Sequence, residues 1–139
     1  MLDKTNITGL VRSHLPDSYE PLNLTFYDDQ PSPLETTVAI GNDYGTTICV
    51  ELESEHVVAI DRAGMHRLRF MNSSIQHLAA CIAAHRDYCD WVLRARSESE
   101  EVSVVSAFRT RILDTDPRAL GNAENWWAVI VEQTETGQL

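Results

Sequence analysis

Hydrophobic positions along the chain change their period once, near Asn72, and the change separates a strand-rich first half from a helical second half. Residues 5–13 read as a short opening helix, with Thr5 or Asn6 as N-cap and Ile7, Leu10 and Val11 on one face. Pro16 stops it, because the residue before a proline is driven out of the helical region. Leu22–Phe26 then alternates apolar and polar, the period of a half-buried strand. Two β-rich runs, 35–40 and 46–52, flank Gly41-Asn42-Asp43-Tyr44-Gly45, a string of turn formers that predicts a hairpin. Val57–Asp61 and Met65–Phe70 follow after further turns. The region 22–70 therefore reads as an antiparallel meander of about five strands.

Past Asn72 the spacing turns helical. Asn72 or Ser73 is the expected cap of a long helix whose apolar stripe is Ile75, Leu78, Ala79, Ile82, Cys89 and Leu93. Ser97 to Glu101 opens a second helix with carboxylates where the helix dipole favours them, and Val104, Val105, Phe108, Ile112 and Leu113 supply its buried face. Residues 124–132 form the last helix. Strands followed by helices predict an α+β fold, the helices packed on one face of the sheet, in a single domain spanning 1–139.

Charge narrows the possible partners. Eleven basic residues stand against 21 acidic ones, a net charge of −10, so a nucleic-acid polyanion would meet a repulsive field and a basic partner is favoured. Residues 1–6 show no basic region followed by an apolar run, and no stretch approaches the roughly 18 apolar residues of a membrane span. A cytoplasmic protein with reduced thiols, binding neither nucleic acid nor membrane, is expected.

Candidate chemistry is sparse. His77, Cys81, His85 and Cys89 recur at four-residue steps, but each step drifts by about 40°, so the four fan out and cannot converge on one ion. No metal and no cofactor are expected. The sequence carries no nucleophile elbow, no phosphate-binding glycine loop and no zinc helix, so no catalytic residues are assigned. Arg62, His66, Arg67 and Arg69 form the one basic concentration and read as a solvated edge strand. Trp126 and Trp127 are adjacent and lie about 100° apart on a helix, so one is expected in the core; the other, Trp127, caps the sheet or serves as an exposed anchor. Glu51, Glu53 and Glu55 continue along a strand and its turn, with Asp28, Asp29 and Glu35 nearby in the meander. If one sheet face is packed and the other open, these carboxylates make a negative platform that steers a cationic protein partner. Asp28, Asp29, Glu51, Glu53, Glu55 and Trp127 are thus the candidate partner-binding residues. A ligand- or peptide-binding scaffold is the alternative, and a deep apolar pocket would mark it.

The run from Gly41 to Leu52 into Val57-Val58-Ala59-Ile60-Asp61, then Arg69-Phe70-Met71-Asn72-Ser73-Ser74-Ile75, and later Asp116-Pro117-Arg118-Ala119-Leu120 and Trp126, resembles the SUKH superfamily. The resemblance is particularly to its fourth group, bacterial immunity proteins encoded beside polymorphic toxins. His14-Leu15-Pro16 and the strand at 24–27 are similar to that branch's opening, so the resemblance covers about residues 10 to 133. It implies an α+β domain without catalytic residues that binds and neutralises a cognate toxin, often a nuclease or nucleic-acid deaminase. No motif in the resemblance fixes the toxin-binding residues.

Overall fold

In the computed structural model, which describes residues 2–27, 31–61 and 67–137, the alternating segments form one antiparallel sheet of six strands in chain order. Two compact units divide the chain, one ending at Leu78 and the other beginning at Ala79.

The first unit opens with α1 (Lys4–His14). Its cap is Asp3, earlier than the expected Thr5 or Asn6. The Asp3 carboxylate accepts the Asn6 N–H at 2.8 Å, and the Asn6 side chain accepts the Asp3 N–H in return. Leu15 leaves the helix in an extended conformation, as the following proline demands. Ile7 and Val11 are buried, and α1 lies against the third strand.

The strands are β1 (Ser18–Tyr19), β2 (Leu24–Phe26), β3 (Thr37–Asn42), β4 (Thr46–Glu51), β5 (Val57–Asp61) and β6 (Leu68–Asn72). The expected strand at 22–26 is shorter because Pro21 lies in a 3-10 turn, Glu20–Leu22, that ends in left-handed Asn23; the segment before that turn adds β1. A register shift between Ala39 and Gly41 interrupts the β3–β4 ladder. Gly41 stands opposite Phe26 at the shift, where β2 comes so close that a Cβ would meet the Thr25 carbonyl and sit 2.8 Å from Phe26 Cδ1. Met65, His66 and Arg62 of the sequence reading lie outside the described residues.

The sheet does not have the open acidic face that the alternation of β4 suggested. Cys49 shares a face with Ala39, Val58 and Ile60, all are buried, and Leu34 packs on them from the segment before β3. That segment is bonded down: Ser32 Oγ accepts the Ala39 N–H at 3.3 Å, and Thr37 Oγ1 donates to the Leu34 carbonyl at 2.8 Å. Ile48, Val50, Val57 and Ala59, on the opposite face, are equally buried. Burial pushes the Cys49 thiol up to about 11, against a weaker opposing hydrogen bond from Thr37, so it behaves as a small hydrophobe.

Helix α2 (Ile75–Arg94) starts at Ser74, whose hydroxyl accepts the His77 N–H at 3.2 Å; Asn72, an expected cap, is the last residue of β6. The second unit continues with α3 (Glu98–Thr115), capped by Ser97 through the Glu100 N–H at 3.1 Å, then a 3-10 turn (Pro117–Leu120) and α4 (Trp126–Thr136). Tyr88 stacks on Phe108 with ring centroids 4.8 Å apart, and His85 meets the same ring edge-on at 5.5 Å. An Arg111–Asp87 ion pair also joins α2 to α3.

Trp126 and Trp127 are both buried, which corrects the placement of Trp127 as an exposed anchor; that ring is 0% exposed. Helix α4 packs against both α3 and the 3-10 turn, and the two indoles meet edge to face at 4.9 Å. Two positions expected in the core are also outside it: Leu93 is 83% exposed at the end of α2, and Leu113 is exposed on α3.

Candidate partner-binding surface at the sheet end

The glutamates of the sequence reading gather around the β4–β5 turn instead of lining a strand face. Glu51 ends β4, and residues 52–54 form the turn. Two backbone bonds close it: Glu51 N–H donates to the His56 carbonyl at 2.9 Å, and Glu55 N–H to the Glu51 carbonyl at 2.8 Å. Inside that frame Ser54 Oγ donates to Glu51 Oε1 at 2.9 Å and accepts the His56 N–H at 3.2 Å. His56 Nδ1 lies 4.0 Å from the Glu51 carboxylate, and its ring meets Phe70 edge-on at 5.2 Å.

The neighbouring chain stiffens this turn. Leu52 N–H donates to the Thr36 carbonyl at 3.0 Å, and the Leu52 carbonyl accepts the Leu2 N–H at 3.3 Å. The Thr36 bond brings exposed Glu35 beside the turn, so four carboxylates, of Glu35, Glu51, Glu53 and Glu55, surround one end of the sheet. Glu53 is exposed; Glu51 and Glu55 are half-buried. Glu55 is held at φ 67°, a left-handed conformation that glycine or asparagine would adopt with less strain. A rigid loop keeping a glutamate in that position presents fixed negative charge with little left to order on binding. Asp28 and Asp29 lie outside the described residues.

The remaining titratable groups do not converge on a reactive centre. Among the described residues no group of three or more His, Cys, Asp and Glu side chains could hold a metal ion. The helical ladder comes apart into local pairs: His77 Nδ1 lies 2.7 Å from Ser74 Oγ, and His85 Nδ1 lies 3.6 Å from Cys89 Sγ. Burial lowers His85 to about 4, so its imidazole is neutral near pH 7. A depression of about 710 Å³ on α3 is lined by Val102, Ser106, Ala107, Thr110, Arg111 and Asp114 among others, a mixed apolar and polar face of a single helix. No described helix is long and apolar enough to cross a membrane.

Tyr44, expected only as a turn residue, is 76% exposed at the tip of the β3–β4 turn, and Leu68 is 48% exposed at the start of β6. A positive φ at Tyr44 has no sequence signal, since glycine is the usual occupant of such a position and Gly45 stands next to it.

Comparison with known proteins adds one finding. Residues 8–133 match the family model described as SUKH-4 immunity protein, a match that runs through both compact units. No curated protein and no solved structure matches the chain.

Proposed function

Since the chain belongs to the SUKH-4 immunity protein family, we propose that it neutralises a cognate bacterial toxin by direct stoichiometric binding, without catalysis, as one domain in the cytoplasm. The toxin class is a nuclease or nucleic-acid deaminase. Such an enzyme must attract an anionic polymer, so its cleft is basic, and an acidic inhibitor can occupy it with carboxylates in place of phosphates. The observation that carries this reading is the braced β4–β5 turn, where Glu51, Glu53 and Glu55 are fixed around one end of the sheet with Glu35 adjacent. A net charge of −10 extends the same field over the whole molecule.

Co-expression with the toxin domain encoded by the neighbouring open reading frame tests the proposal. Cell survival and a one-to-one complex of the purified pair are the expected results. Unabated toxicity at matched expression would overturn it.

A further inference from the structure

We infer that Tyr44 is a second, apolar anchor for the same toxin, held ready by a strained turn at the opposite end of β4 from the glutamates. The inference rests on the immunity reading and adds a residue, a kinetic role and a partner chemistry to it. Tyr44 and Gly45 make a two-residue hairpin turn closed by the Asp43 N–H donating to the Thr46 carbonyl at 3.2 Å. The Asp43 carboxylate accepts from both the Thr46 N–H and the Thr46 hydroxyl, so the turn is locked from inside. Within it Tyr44 takes φ 79°, a conformation bulky side chains avoid. Glycine would relieve that strain, and the neighbouring residue is glycine, at a position without positive φ. The chain thus keeps an aromatic ring in the conformation glycine suits best, and leaves that ring 76% exposed. Strain retained at a bulky, solvent-facing side chain points to use of that side chain, because the fold would be more stable without it.

The surroundings define what the ring meets. Register places Asp61 opposite Thr46, and Leu68 opposite Ile60, which is itself opposite Thr47, so Tyr44, half-exposed Leu68 and the carboxylates of Asp43 and Asp61 share one end of the sheet. An aromatic tip with an aliphatic neighbour and flanking carboxylates fits a shallow apolar pocket rimmed by lysine or arginine. Tyrosine is enriched at such hot spots because it buries a large area for two rotatable bonds. The six residues of β4, at about 3.3 Å each, separate the two turns by roughly 20 Å, within the footprint of one interface of about 800 Å² per partner. Charge then governs encounter at the glutamate turn, and the ring governs residence.

The test is the kinetics of the complex with the neighbouring-gene toxin domain, inactivated at its active site. Tyr44→Asn, which tolerates left-handed φ and removes the ring, is expected to raise the dissociation rate at least tenfold, leave association within twofold and keep the melting temperature at or above the native value. Tyr44→Phe is expected to dissociate within threefold of native. A Tyr44→Asn complex that dissociates within threefold of native overturns the anchor. If the native protein does not bind the toxin, the immunity reading itself falls; if it binds and Tyr44→Asn is indifferent, only the anchor falls.

Discussion

Glu51 and His56 close the β4–β5 turn on each other: the Glu51 N–H donates to the His56 carbonyl at 2.9 Å, while His56 Nδ1 sits 4.0 Å from the Glu51 carboxylate. The frame is backbone and the charge is side chain, so the two can be changed separately. Glu53, exposed and outside the internal bonds, is the cleanest place to change charge alone. Glu53→Lys, and more strongly Glu51→Gln with Glu53→Lys, should slow association with the toxin about three- to tenfold at low salt. The difference should fade as ionic strength approaches 1 M, where the screening length falls to about 3 Å. Stopped-flow association across a salt series checks this; a rate indifferent to both variants at low salt removes the turn from the interface.

Gly41 and Gly9 should respond in opposite directions to the same substitution. A Cβ at Gly41 meets the Thr25 carbonyl and Phe26, parts of an adjacent strand that cannot swing aside like a flexible side-chain end. Gly41→Ala should therefore cost about 1–3 kcal/mol of overpacking strain. A Cβ at Gly9 meets nothing within 4 Å on helix α1, so Gly9→Ala should stabilise by about 0.5–1 kcal/mol through helix propensity alone. Urea unfolding of the two variants decides both signs in one experiment.

The meander was legible because strand periodicity and turn chemistry act locally: Val57–Asp61 is a strand over the residues its apolar run marks, and the residues between β3 and β4 make a hairpin. What covered each face was not legible. Cys49 and Glu51 share a strand parity, yet one is 0% exposed and the other is at the turn, because Leu34 reaches back over the sheet from a proline-containing segment. Helix faces show the same limit. A 100° separation between Trp126 and Trp127 argues for one buried ring only when a helix has a single neighbour, and α4 packs on both α3 and the 3-10 turn. Leu113 fits the 3.6-residue period of α3 but stands beyond the cover over Phe108 and Ile112. The candidate turn could be read as acidic, whereas the left-handed backbone at Glu55 and Tyr44 could not, since neither residue type favours it.

Arg109 and Glu135 join α3 to α4 through a two-pronged contact, Nε to Oε2 and Nη2 to Oε1, both at 2.7 Å. The hydrogen bonds from Arg109 hold the Glu135 carboxyl below its ordinary value, and the same bonds raise Arg109. Both groups remain partly in water, so the fork should contribute under about 1 kcal/mol. Arg109→Lys keeps the charge but loses the planar fork and should forfeit most of that contribution. A double-mutant cycle with Glu135→Gln measures the coupling, which should shrink towards zero at 1 M salt; a coupling above 2 kcal/mol would contradict the exposed geometry.

His85 should give the helical unit a specific acid sensitivity. Its ring is buried beside Tyr88 and Phe108, and desolvation lowers its pKa from 6.5 to about 4. The unfolded chain, with an ordinary histidine, binds the proton first as pH falls, so between about 6.5 and 4 the unfolded state gains protons that the folded state refuses. Stability contributed by neutral burial is therefore full above 6.5, declines through that window and levels off below 4. The total loss is on the order of 3 kcal/mol for a shift of this size. His85→Leu removes the titrating group while keeping an apolar side chain in the site. Denaturant unfolding from pH 7.5 to 4 should show a native stability that falls faster than that of the variant, the gap opening below pH 6.5 and not above it. Parallel curves across the window would mean that His85 is not desolvated in the folded protein.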